Sequence, residues 1–278
     1  MGGGGMSDIR LLGIVLWTLI MSSQPALLND SNDAIDDAAV PFVVRLHLIR
    51  HGETEANVNE IVLGQGDSPL TDDGLALAVR ASHDNFTRGF WRYYCSDLKR
   101  AHRSAKLVLG MEDVGGNELN SNVDLTVDAR LREVAKGARE GLPKSFSLEE
   151  ALAARKKSGS VIPKLETLEE AFNRVDEWIG SLVRDANEEY QSQSTCQAHG
   201  MEGRKIYDVF AMTHSALIRT TIQRMVGSEL PDHYSRTREG SLSIPNLSKT
   251  IIDILPVFDA RQIIRRKARL VKLTECFI

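Results

Sequence analysis

The sequence predicts an α/β domain, with a mostly parallel central sheet and helices on both faces. Strand-like apolar runs alternate with helical patterns along the chain, as expected when each crossover lies against a parallel sheet. Three of those strands lead through a short polar junction directly into a helix. The composition, 42% hydrophobic and 26% charged over 278 residues, is ordinary for a globular chain with a real core. A single domain of more than about 200 residues is the simplest reading, because open α/β folds often run to that length.

The elements follow in order. FVVRLHLI, Phe42–Ile49, is β-branched and apolar, which predicts a central strand. Thr71 is a helix-cap candidate opening TDDGLALAVRASHDNF. WRYYCS, Trp91–Ser96, is a second strand, and DLKRAHRSAKLVL follows it with helical periodicity. MEDVGGNELNSN reads as a loop and LTVDARL as a third, short strand. Two later helix starts carry capping boxes, Ser147 with Glu150 and Thr167 with Glu170, the second opening LEEAFNRVDEWIGSLVRDA. QSQSTCQAHGMEGRK is expected to be a polar loop. IYDVFAMTHS is a strand running into the helix ALIRTTIQRMVG, and SKTIIDIL with KARLVKL make a closing pair of strands. There is no internal repeat.

Ahead of the folded part, residues 1–41 combine an apolar run, Leu11–Met21, with an acidic lead-in expected to be disordered. The run is short for a membrane span and suits a signal-peptide core behind Arg10, yet Asp8 neutralises its flank and SSQPALL is a poor cleavage site. Met6 and Met21 are both possible starts, and Met6 breaks the Gly2 acylation pattern. The expected location is cytoplasmic, with a secretory or organellar address if the run is a genuine signal. Three short glycosylation-type matches, at Asn29, Asn85 and Asn246, carry little weight.

With 34 Lys and Arg against 38 Asp and Glu, the net charge of −4 points to neither nucleic acid nor a membrane surface as partner. Cys95, Cys196 and Cys276 are far apart and fit no metal, redox or disulfide spacing. Any anion site must therefore be a local cluster. The three strand–helix junctions supply one: Arg50-His51-Gly52, the segment from Ser96 to Arg100, and Thr213-His214-Ser215. In a parallel sheet these junctions share one rim, where ligands bind and helix N-termini point their free N–H groups. Two arginines and two histidines meeting there suit a dianionic phosphoryl group, and Gly52 would let the backbone approach it. His47, inside the first strand, is read as structural, and the other four histidines as surface.

RHGETEAN, GQGDSPLTDDG, CSDLKRA, RLREVAKGAREG and THSALIR, in this order from about Phe42 to Leu273, resemble the histidine phosphatase superfamily, the phosphoglycerate mutase-like three-layer fold. The resemblance implies a histidine phosphatase domain over residues 42–275. It assigns His51 as the nucleophile that becomes phosphohistidine. Arg50, Arg100 and His214 become the groups holding the transferred phosphate, and Glu133 the acid that protonates the leaving oxygen. Asn57 and Gln65 fall where the family contacts phosphate or substrate. A glycine commonly follows the second histidine, and Ser215 stands there instead. Glu53, the rival acid, follows the nucleophile directly, and a structural role is expected for it.

These assignments imply an enzyme that needs no cofactor and no metal, since phosphoryl transfer asks mainly for positioning and charge stabilisation. The compact segment after Glu133 resembles the fructose-2,6-bisphosphatase-like branch. The expected function is metal-independent hydrolysis of a small phosphorylated metabolite, with fructose-2,6-bisphosphate or another sugar or glycerate phosphate as candidates. A phosphoglycerate mutase, a protein phosphatase and a non-catalytic binding protein are the alternatives.

Overall fold

The computed structural model describes residues 40–83, 89–119, 122–196, 204–227, 242–259 and 262–276. The apolar run, the acidic lead-in, the match at Asn85, His199 and His233 lie outside them. Within these residues a six-stranded sheet has the order β4-β3-β6-β1-β7-β8, built from β1 (Phe42–Arg50), β3 (Arg92–Cys95), β4 (Leu125–Val127), β6 (Lys205–Thr213), β7 (Ser248–Asp259) and β8 (Gln262–Cys276). β4, β3, β6 and β1 are mutually parallel, and β7 returns antiparallel to β1 before turning into β8. The mostly parallel sheet and the closing pair both match the expectation, although β8 runs well beyond KARLVKL at either end.

Strand alternation sorts the core into two layers. From β1 and β6, Val44, Leu46, Leu48, Tyr207, Val209 and Ala211 face one side. There they meet α5 (Leu168–Cys196) through Trp178, Ile179 and Leu182, and α6 (Ser215–Met225) through Leu217, Ile218 and Ile222. Ile49, Phe210 and Met212 face the other side, against Ala78 and Ala81 of α2 (Asp72–His83) and Ala101, Ala105 and Val108 of α3 (Lys99–Val108). Alanines on this second side let the two helices come close to the sheet and to each other.

Capping fixes where the helices begin. Thr71 Oγ1 accepts from Gly74 N, as its place ahead of α2 predicts. Both predicted boxes close: Ser147 with Glu150 at α4 (Leu148–Ser158), and Thr167 with Glu170 at α5. A third box, Thr54 with Asn57, starts the four-residue α1 (Glu55–Val58). The expected loop, which begins at Gln191, is instead helix as far as Cys196, and its stretch 197–203 lies outside the described residues. Two-residue strands β2 (Ile61–Val62) and β5 (Leu142–Pro143) pair antiparallel and bind the loop bearing Gln65 to the segment after Glu133. No described helix is long and apolar enough to cross a membrane.

The two antiparallel strands are anchored by charge. Asp253 on β7 is 1% exposed and accepts from Arg45 Nε at 2.7 Å, Arg45 Nη2 at 3.1 Å and Arg269 Nη2 at 2.9 Å. Burial pushes its carboxyl up, but the two arginines outweigh that and hold it below the usual carboxylate range. Asp253→Asn should therefore cost about 2–3 kcal/mol at pH 7, the low end for a broken buried pair because the arginines reach solvent. Urea unfolding of both proteins tests this. The gap should persist down to about pH 4 and close below it, since the contribution is lost as Asp253 is protonated in the fold.

Candidate active site

Strand register brings the three junctions level. Arg50 stands beside Thr213, and Cys95 beside Met212 and Val127, so the carboxyl ends of β1, β6, β3 and β4 form one rim. The ladder carries on past the strands: His51 N donates to Thr213 O at 3.0 Å and Ser96 N to Met212 O at 2.9 Å. His51 and His214 are thereby placed with ring centroids 5.1 Å apart, and both are buried.

The His51 ring is oriented by its own backbone. Nδ1 lies 2.6 Å from Gly52 O, which can only accept, so Nδ1 carries the proton and Nε2 the free lone pair. Arg100 Nε donates to that Nε2 at 3.2 Å. Burial, then the charges of Arg100 and Arg50, pull the His51 pKa well below its usual value, so the ring is neutral. His214 falls likewise through burial, Arg100 and His51, and its Nε2 lies 2.9 Å from Ser96 Oγ.

The arginines are held in place. Arg100 is 3% exposed and donates through Nη1 to Gly66 O at 2.7 Å and through Nη2 to Gly64 O at 2.8 Å. Gly64 has a positive φ of 54°, and a Cβ there would run into the Glu140 carboxylate, so the loop that grips Arg100 requires glycine. Arg50 donates through Nη1 to Ile244 O at 2.7 Å, and burial lowers its pKa to about 10. Arg50 Nε and His214 Nδ1 are buried with no hydrogen-bond partner among the described residues. Two orphaned nitrogens beside a neutral imidazole leave a place for an anion's oxygens.

Glu133 approaches from the loop between β4 and β5. Its carboxylate accepts from Val134 N at 2.8 Å, and from Ala216 N and Leu217 N, both at 3.2 Å, in the first turn of α6. The free N–H groups expected to face a ligand here are thus taken up by Glu133. It nonetheless lies close enough to Arg50, Arg100 and Lys136 for its charge to bear on all three. Gln65 is beside it, donating through Nε2 to Glu133 O at 3.1 Å. Asn57 Oδ1 accepts from Thr54 N at 3.2 Å and Asn246 Nδ2 at 3.3 Å, and Asn246 also donates to His51 O at 2.9 Å. The seven residues singled out in the sequence are therefore gathered at the carboxyl-end rim of the sheet.

One expectation shifts and two hold. Gly52 is close-packed rather than open to a ligand: a Cβ would meet Gly74 O and Ser104 Oγ at 3.3 Å, and Ser104 Oγ accepts from Gly52 N. Glu53 is tied to Thr71 Oγ1 at 3.0 Å, in keeping with a structural role, and His47 pairs with Asp208 at 2.7 Å. Sequence reasoning passed over Ser104, Glu140, Asn246 and Arg219. Ser104 is four residues after Arg100, and Arg219 four after Ser215, whose Oγ it reaches at 3.0 Å, so helical spacing alone could have flagged both. No group of three or more His, Cys, Asp or Glu side chains among the described residues converges as a metal-ligand set.

Imidazole nitrogen NMR checks the electrostatics. His51 is expected as the neutral Nδ1–H tautomer at pH 7, and still neutral at about pH 6, where an ordinary histidine is largely charged. The unfolded chain then binds protons that the folded one refuses, so stability should fall below about pH 6.5, by up to about 1.4 kcal/mol per pH unit for each histidine. Denaturant titrations at pH 7.5 and 5.5 measure that slope.

Known proteins resemble this chain in sequence and in fold. The sequence is 31% identical to the fructose-2,6-bisphosphatase TIGAR B of Danio rerio over 65% of this chain and 74% of that protein. It is 27% identical to a broad-specificity phosphatase of Saccharomyces cerevisiae over 81% and 85% of the two chains. The fold resembles that of a mycobacterial glucosyl-3-phosphoglycerate phosphatase, with a TM-score of 0.56 at 22% identity over 82% of this chain and 97% of that one. The sequence profile of the histidine phosphatase superfamily (branch 1) matches residues 46–254, from the first strand through the seventh and across every junction just described. On that match, which covers well over half its length, the chain belongs to the histidine phosphatase superfamily, branch 1.

Proposed function

We propose that this histidine phosphatase hydrolyses a small phosphorylated metabolite through a phosphohistidine on His51, with no metal taking part. The observation that carries the reading is the His51 ring: neutral, pinned at Nδ1, and offering its Nε2 lone pair beside Arg100 in the field of Arg50. An imidazole attacks phosphorus only through such a lone pair.

A phosphoryl group entering the pocket takes over the Arg100 Nε–H and occupies the orphaned Arg50 Nε and His214 Nδ1. With the Ser96 hydroxyl proton directed to His214 Nε2, that ring presents Nδ1–H to the phosphoryl oxygens. His51 Nε2 then bonds to phosphorus as the ester oxygen departs with a proton from Glu133. In the second half, Glu133 takes a proton from the water that attacks phosphohistidine, releasing inorganic phosphate and restoring neutral His51. The two arginines and His214 stabilise charge at the equatorial oxygens in both halves.

The substrate class is read from charge beyond the phosphoryl pocket. Lys136 and Arg219 lie on the Glu133 side, and burial and Arg219 lower the amine of Lys136, with Glu133 opposing. Three cations, Lys136, Arg139 and Arg219, act there with Glu133 and Glu166, a cluster that suits a second acidic group on the substrate, as in a sugar bisphosphate or phosphoglycerate. The Danio rerio relative, a fructose-2,6-bisphosphatase, points the same way.

Turnover in chelator of fructose-2,6-bisphosphate, 3-phosphoglycerate, glycerol phosphate and phosphopeptides tests the reading. His51→Ala should lose at least about 10³-fold, along with an acid-labile phosphoenzyme seen in the parent. Glu133→Gln should lose about 10²–10⁴-fold on alkyl esters. Interconversion of 2- and 3-phosphoglycerate outpacing phosphate release would replace hydrolase with mutase, and preference for phosphopeptides would overturn the metabolite class.

A further inference from the structure

We propose that Arg174 and Glu166 are positioning residues, a clamp that sets where Glu133 stands in the pocket; this rests on the acid–base role given to Glu133 above. Arg174 projects from the first turns of α5 and is 18% exposed, and Glu166, just ahead of that helix, is 11% exposed. The guanidinium forks onto Glu166, with Nε to Oε1 at 2.7 Å and Nη2 to Oε2 at 3.0 Å. The same group then reaches the loop bearing the acid: Nη1 donates to Arg130 O at 2.6 Å and Nη2 to Glu133 O at 3.2 Å. Glu166 completes the grip, since its Oε2 accepts from Ala135 N at 3.2 Å and its own N donates to Ala135 O at 3.2 Å.

Backbone groups on both sides of Glu133, at residues 130, 133 and 135, are therefore held by one ion pair from another part of the chain. Four guanidinium N–H groups are used in a plane, a geometry that lysine cannot supply. Burial pushes the Glu166 carboxyl up, but Arg174 outweighs it, so the pair stays charged at neutral pH. The other anchors of the loop, Thr213 Oγ1 to Leu131 O and Arg132 to Asp97, fix its near end; Val134 N and the first turn of α6 hold the Glu133 carboxylate, while the clamp and Gln65 hold the main chain at residues 133–135. An acid displaced by about 1 Å can cost about 10²-fold in rate.

Arg174→Ala, Arg174→Lys and Glu166→Gln are compared with Glu133→Gln in the full chain. The probes are glycerol phosphate, whose alkoxide needs a proton, and p-nitrophenyl phosphate, whose leaving group does not. Arg174→Ala should lower kcat on glycerol phosphate about 10–100-fold with little change in KM. Its first-turnover release of p-nitrophenol should stay within about 3-fold of the parent, while phosphohistidine accumulates because water attack is slowed. Millimolar guanidinium should restore part of the alkyl-ester activity, which a collapsed fold would not permit. Arg174→Lys and Glu166→Gln should show the same pattern in weaker form. Equal losses on both substrates without rescue in all three variants would mean a general structural role and overturn the clamp, as would parental kinetics in Arg174→Ala. A Glu133→Gln protein indifferent to the leaving group would instead overturn the role of Glu133, and the clamp with it.

Discussion

The bond from His51 Nδ1 to the carbonyl of Gly52 decides which nitrogen of the imidazole is free, and the surrounding contacts depend on that decision. Reversing the tautomer would put a proton where Arg100 now donates, setting two N–H groups against each other. The peptide that supplies the carbonyl is itself fixed, because Gly52 N donates to Ser104 and a side chain at Gly52 would press on Gly74 and Ser104. Ser104 closes the circuit by donating to Arg100 O, one turn back along α3. The imidazole and its neighbouring cation are therefore braced through one serine, which binds the chain at Gly52, next to His51, and at Arg100.

Burying this much positive character is expensive, and the molecule answers mainly with main-chain dipoles. Arg100 is met by two carbonyls and Arg50 by one, with Glu133 the main carboxylate acting on both. Carbonyls partly satisfy a guanidinium without cancelling its charge, so the net field stays open to an incoming dianion. Asp97 and Asp253, by contrast, are paired with arginines and spend their charge on holding the fold. Cys95 belongs to the same inert framework: burial raises its thiol to about 12, so it packs β3 and stays protonated.

How much of this was legible in the sequence follows from where each signal resides. β1, β3 and β6 were readable because buried strands leave apolar runs, and their junctions because cation, imidazole and small residue are juxtaposed there. α5 was readable along its packed length and lost at its end: residues 191–193 are exposed, so no apolar stripe marks them, yet a helix once nucleated propagates cheaply through polar sequence. The capping box at Thr54 escaped notice because four residues of helix carry no periodicity. The seven candidate residues could be named from the sequence, but the residues that support Glu133 could not. Arg174, Glu166 and the first turn of α6 are distant in sequence from Glu133 and become neighbours only when the sheet brings α5 and α6 together.

The contact between Glu133 and α6 has a consequence for how this family can vary. Its donors are the backbone N–H groups of Ala216 and Leu217, which every residue except proline possesses. As far as that contact is concerned, any residue but proline serves at positions 216 and 217, and what restricts them is their packing in the core. A comparison of side chains would record only that packing, although each also holds the carboxylate by an atom that no such comparison records.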